Sequence, residues 1–197
     1  MTKKESKEKR VGDILEAAID VFVDKGYENT SMNEIAAKAG ISKGGLYHHF
    51  LNKDMVMLYA NEKLMEPCHE LMKKINNHPS VVEGLRQYIF EYLEYWTRRK
   101  KELTFFSLSM TKAMNQRDIF KIYERYVEKY VGFLDEIYKK GIAAGELRPH
   151  NTRQSAVALM SSLDGVLIYM MLDSKLKLEE VAEGFTERFV EAYIVKK

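Results

Sequence analysis

Residues 30–53 leave the chain few alternatives to a pair of short helices joined by a tight turn. Ser31 is a good helix N-cap and Glu34 stands three residues later, so the pair has the form of a capping box. Ile35, Ala36 and Ala39 give the first helix an apolar face. Gly40 can take the left-handed backbone that ends a helix. Ser42 can cap the next one, and Leu46 and Phe50, four apart, supply its inward face. Lys43, Gly44, Tyr47 and His48 are left pointing outward.

That outward set suits DNA. Two adjacent glycines, Gly44 and Gly45, weaken the start of a helix, which makes sense where a backbone must approach something closely. No Asp or Glu falls between Glu34 and Asp54, while Lys38, Lys43 and Lys53 do. A basic, glycine-bearing helix behind a capped one fits a helix-turn-helix, whose second helix enters the major groove. A helical hairpin with a merely solvated face shares the spacing; the acid-free window favours DNA.

Composition sets the limits of this reading. The net charge is only +2 over 197 residues. Nucleic-acid binders often carry a strongly basic balance, so affinity here must come from local charge. A hydrophobic share of 46% supports a core, and 3 prolines and 11 glycines argue against long disordered stretches. The single cysteine, Cys68, excludes an internal disulfide framework and suits a reducing, cytoplasmic setting. The charged N-terminus lacks the apolar core of a signal peptide. The most apolar stretch, 156–172, is interrupted by Ser161, Ser162 and Asp164. It is expected to be a buried or subunit-interface helix rather than a membrane span.

In chain order, residues 1–10 hold five basic residues against two acidic ones and read as a flexible arm able to touch phosphates. The spacing predicts a scaffold helix over 11–25, stopped by Gly26, and a helix over 53–75 in which Pro67 should cause a kink or a break. Further helices are expected from Ser80 to near Lys100, over 103–114, 118–143, 152–173 and 178–195. Arg98, Arg99, Lys100 and Lys101 read as a basic cap on the helix ending there. Helix 152–173 is apolar on more than one side, so it needs cover, and a second copy of the chain is the economical cover.

Catalysis finds little support. Cys68 and His69 are neighbours on a helix and point about 100° apart, as do His48 and His49, so neither pair can act together. There is no phosphate loop and no zinc-type cysteine spacing. No catalytic residue, metal or cofactor is expected. A ligand cavity would be lined by aromatics and methionine: Tyr92, Trp96, Phe106, Met110, Tyr126 and Tyr130, with Tyr88 and Tyr123 as further candidates. Twelve tyrosines are more than a dry core wants, since each buried hydroxyl needs a partner.

The first 55 or so residues resemble the DNA-binding domain of the TetR family of bacterial transcriptional regulators. The matching residues are Ile14 to Ala18, Phe22, Gly26 and Tyr27, Thr30 and Ser31, Glu34 to Ala36, Ala39 to Gly44, Leu46 and Tyr47, His49 and Phe50, and Asn52 and Lys53. The rest resembles the family only in length and helical character. The resemblance implies phosphate contacts at Thr30, Ser31 and Lys53. It implies a recognition helix opened by Ser42, Lys43, Gly44 and Gly45, with Tyr47, His48 and His49 reaching bases or phosphates. Many relatives carry a bulkier residue where Gly44 or Gly45 stands, which leaves specificity to Lys43, Tyr47 and DNA shape.

The expectation is therefore an all-α chain of about nine helices. It has an arm (1–10), a three-helix helix-turn-helix domain (11–54) and a larger C-terminal regulatory and dimerisation domain (55–197). It would be a homodimer through helices 152–173 and 178–195, binding a palindromic double-stranded operator, released by a small hydrophobic effector, with no membrane partner. An architectural, effector-independent DNA-binder is the alternative. A helical enzyme or protein-binding domain would show no DNA affinity.

Overall fold

The computed structural model describes residues 3–195, with side chains from residue 8 onward. Nine α-helices follow one another: α1 (Lys3–Lys25), α2 (Met32–Lys38), α3 (Lys43–His49), α4 (Lys53–Asn76), α5 (Val81–Thr97), α6 (Lys100–Met114), α7 (Arg117–Ala143), α8 (Thr152–Leu172) and α9 (Leu178–Phe189). A single 3-10 turn, Glu191–Tyr193, closes the sequence of elements. Of the expected arm, Met1 and Thr2 lie outside the described residues, and the backbone from Lys3 onward already belongs to α1.

The chain forms two compact units. The first holds Met1–Glu66 and Lys101–Phe120; the second holds Pro67–Lys100 and Lys121–Lys197. The helix-turn-helix unit thus extends past residue 54 and recruits α6 and the start of α7. Phe105 of α6, 1% exposed, packs on Phe22 of α1 at 5.7 Å between ring centroids. Ser109 of α6 donates to Asn61 Oδ1 (3.0 Å), and Asn61 donates to the Met57 carbonyl (2.9 Å), so a buried polar pair is satisfied.

In the second unit α5 packs against α8 and α9. Its core includes Leu85, Tyr88, Ile89, Leu93 and Trp96 from α5, Leu134 and Tyr138 from α7, and Leu159 and Leu163 from α8. At 21 residues α8 is long and apolar enough to cross a membrane. Its buried stripe (Ala156, Leu159, Met160, Leu163, Leu167) faces this core, while Val157, Ile168, Tyr169 and Leu172 stay exposed.

Three sequence expectations are corrected. α4 runs unbroken through Pro67, because buried Leu64, Met65, Cys68, Leu71 and Met72 on either side hold the helix against one lost hydrogen bond. The basic cluster does not cap one helix: α5 ends at Thr97, Arg98 is its C-cap, and Lys100 and Lys101 open α6, where Lys101 pairs with Asp20 at 2.6 Å. The last helix stops at Phe189 rather than 195. There the tail turns to pair with the α7–α8 loop: the Arg148 N–H donates to the Tyr193 carbonyl (2.7 Å) and the Val195 N–H to the Glu146 carbonyl (3.1 Å).

Candidate nucleic-acid interface and effector cavity

The helix-turn-helix is built by caps. Ser31 Oγ accepts from the Glu34 N–H (3.3 Å), and the Glu34 carboxylate accepts from the Ser31 N–H (2.8 Å), which completes the capping box. This box and Lys25 hold the Glu34 carboxyl down to about 2, the lysine contact being the larger cause. Gly40 has φ +64, a conformation that strains any residue with a Cβ, and the Ile41 N–H returns to the Ala36 carbonyl at 3.0 Å. Ser42 Oγ then accepts from the Gly45 N–H at 3.0 Å and starts α3. Leu46 is fully buried and Phe50 2% exposed, so they fix which face of α3 looks out.

That outward face carries Ser42, Lys43, Gly44, Tyr47 and His48, all exposed, with Gly45 and His49 half-buried. The Lys43 ammonium stands 5.9 Å from the centre of the Tyr47 ring, and Tyr47 is 42% exposed. The His48 and His49 rings meet edge to face at 5.3 Å. Nearby Lys38 is tied to Asp20 at 3.5 Å. A Cβ at Gly44 would meet nothing within 4 Å, so no protein atom demands this glycine. Gly44→Ala should therefore raise helix stability by about 1 kcal/mol while lowering operator affinity. Thermal melts beside mobility shifts check this, and unchanged affinity would deny α3 a close backbone approach to DNA.

Two expected phosphate contacts are placed differently. Thr30 is 3% exposed; its hydroxyl donates to the Gly26 carbonyl (2.7 Å) and its N–H to the Tyr27 carbonyl (3.2 Å). With both donors spent inside the turn, Thr30 shapes the entry to α2 and does not offer itself to phosphate. Lys53 spends its ammonium on the Tyr27 carbonyl (2.7 Å) and lies 4.2 Å from the centre of the Tyr27 ring.

Sequence reasoning missed this Tyr27 clamp. Its ring stacks on Phe22 at 5.8 Å and carries Lys112 of α6 at 4.3 Å besides Lys53. Its hydroxyl donates to Asp54, and burial, with the Asp54 carboxylate next, pushes the phenol above its ordinary value. Lys112 also pairs with Glu28 at 2.9 Å. No local pattern links residues so far apart in sequence.

The second unit holds a cavity of about 390 Å³ lined by Pro67, Cys68, Leu71, Phe90, Glu91, Tyr92, Glu94, Tyr95, Arg98 and Arg99. Of the expected ligand residues only Tyr92 lines it. Trp96 and Tyr130, 1% and 4% exposed, are core residues, Tyr126 is half-buried on α7, and Phe106 and Met110 belong to the first unit. These six residues therefore do not form one lining. Arg98 pairs with Glu94 at 2.8 Å, and Arg99 lies 4.5 Å from the centre of the Tyr95 ring. Burial pushes the Cys68 thiol up to about 12, with Asp164 contributing, which removes it as a thiolate nucleophile. Asp164, in apolar α8, accepts from the Tyr92 hydroxyl at 2.7 Å. An acid inside an apolar helix was the one signal that pointed to it in advance.

Residues 14–60 match the model described as bacterial regulatory proteins, tetR family. The chain is 28% identical over 151 residues to the HTH-type transcriptional regulator YfiR of Bacillus subtilis, covering 74% of this chain and 72% of that protein. It is 25% identical over 168 residues to the HTH-type transcriptional repressor BepR of Brucella suis, covering 81% and 80% respectively. It also superposes on AibR, whose crystal structure holds isovaleryl coenzyme A and operator DNA, with a TM-score of 0.75 and 26% identity over 92% of this chain and 98% of that one. With its capped helix-turn-helix matched in sequence and its nine helices matched in fold, the chain belongs to the TetR family of bacterial transcriptional regulators.

Proposed function

We propose that the protein is a homodimeric one-component repressor that binds a palindromic operator through α3 and is released by a small hydrophobic effector taken up in its second unit. The observation that carries this reading is the outward face of α3, with Ser42, Lys43, Tyr47 and His48 exposed around a glycine that has open space above it. With no acid between Glu34 and Asp54, that face can meet a phosphate backbone without repulsion. The exposed apolar residues of α8 support pairing with a second copy, which would present α3 twice to two half-sites. Ser31 and Ser42 keep hydroxyls at the surface for phosphate contacts. AibR, on a similar scaffold, binds both an operator and an acyl thioester, which supports the pairing of DNA and effector. α4 has residues in both units, so it is the continuous element through which an effector would weaken operator binding, by about 1–3 kcal/mol.

The test is titration of the protein onto a fragment carrying the DNA upstream of its own and neighbouring genes. Affinity should fall linearly and steeply with the logarithm of salt concentration. Absence of binding at low salt, or a flat salt response, would exclude the repressor reading. Operator binding that no small molecule loosens would favour the architectural alternative.

A further inference from the structure

We propose that the second unit's cavity leads to a site for a protonated amine carried on an apolar body, held by Asp164 and Tyr130; this rests on the effector-binding reading above. Asp164 lies in an apolar helix, keeps one edge accessible, and is otherwise surrounded by protein. Its charge reaches Cys68, Tyr88, Tyr92 and Tyr130. Among the described residues it has no ion pair, and its one hydrogen bond comes from Tyr92. Burial pushes its carboxyl up, the signature of an acid whose charge is not answered. Tyr130 is 4% exposed and its hydroxyl has no hydrogen-bond partner. Cys68 and Tyr92, both neighbours of Asp164, also line the cavity and connect it to this polar end.

The cations nearby are committed elsewhere. Arg98 is paired with Glu94, Arg99 rests on Tyr95, and the exposed Lys129 contacts His69 at 2.9 Å. The rim is thus balanced in charge while the polar end carries an unanswered acid, an orphan hydroxyl and stacked tyrosine faces, Tyr88 on Tyr92 at 5.8 Å. An ammonium answers all three: it pairs with the carboxylate, donates to the Tyr130 oxygen, and lies against aromatic rings. A carboxylate ligand would be repelled. A neutral thioester would satisfy the hydroxyl but leave Asp164 unanswered.

The experiment follows binding by the fluorescence of Trp96, the only tryptophan, with calorimetry alongside. The probes are decylamine, decyltrimethylammonium, decanol, decanoate and decanoyl coenzyme A, each below its micellar concentration. Decylamine should bind at least ten times more tightly than decanol or decanoate. Tyr130→Phe should weaken decylamine and leave decyltrimethylammonium unchanged, because only the former donates a hydrogen bond. Asp164→Asn, which can still accept from Tyr92, should erase the preference for the amine. Equal binding of amine and alcohol by the unaltered protein overturns the proposal without any variant, as does binding of decanoyl coenzyme A with none of decylamine. DNA is absent from these titrations, so failure here is separate from failure of operator binding.

Discussion

Tyr47→Ala should remove operator binding while leaving the protein as stable as before. Tyr47 is 42% exposed on the outward face of α3, whose buried contact with the core is made by Leu46 instead. A surface truncation of this kind changes stability by less than about 0.5 kcal/mol. A base or phosphate contact contributes about 1–3 kcal/mol. A dimer would lose it twice, about 2–6 kcal/mol together, which is thirtyfold or more in affinity. The Lys43 ammonium near its ring would lose its aromatic neighbour as well. Mobility shifts, a thermal melt and sedimentation read affinity, stability and assembly separately. Operator affinity within threefold of the unaltered protein would place the recognition surface elsewhere on the helix-turn-helix.

The second large effect concerns stability of the second unit. Glu146, just past the left-handed Gly145 that ends α7, reaches back to the start of α5. Its carboxylate accepts from the Ser80 hydroxyl (2.7 Å), the Val81 N–H (3.0 Å) and the Val82 N–H (3.1 Å). One side chain therefore answers two of the orphan donors at a helix N-terminus and sits at the positive end of its dipole. Glu146→Ala should cost about 2–4 kcal/mol, since hydrogen bonds to a charged group are worth about 1.5–3 kcal/mol and the donors would be left half-buried. That corresponds to a fall in Tm of roughly 5–15 °C for a chain of this size.

The pH dependence follows from the same contacts. Burial alone would raise the Glu146 carboxyl, but the donors of Ser80, Val81 and Val82 outweigh it and hold the carboxyl below its usual value. A group depressed in the folded state contributes stability above its unfolded pKa, about 4.3, and loses it as pH falls through the folded pKa. The difference in Tm between Glu146→Ala and the unaltered protein should thus be full at neutral pH and shrink below about pH 4. A difference that persists undiminished at acid pH would show that the lost contacts are packing and not charge.

How far the sequence could carry these conclusions differs between the two units. The helix-turn-helix is written in local signals: Ser31 with Glu34, Gly40, Ser42, and Leu46 with Phe50 each act within a few residues. Helix positions and the outward face of α3 are therefore legible from residue spacing. Where a signal depends on competition, it is less reliable. Pro67 reads as a breaker, yet flanking buried side chains outweigh it. The apolar run into the C-terminus reads as helix to 195, yet it gives way to pairing with the α7–α8 loop.

The sequence alone determined the class of fold, the capped recognition helix and the acid-free window around it, because those properties arise from spacing and charge along the chain. Only the tertiary structure decided that Thr30 and Lys53 serve the turn, that Lys112 grips Tyr27, and that Glu146 caps α5. It alone separated Phe106 and Met110 from Tyr92 and set Asp164 beside Tyr92. The physical reason is distance along the chain: most of these partners are tens of residues apart, and which donor meets which acceptor is fixed only when helices pack.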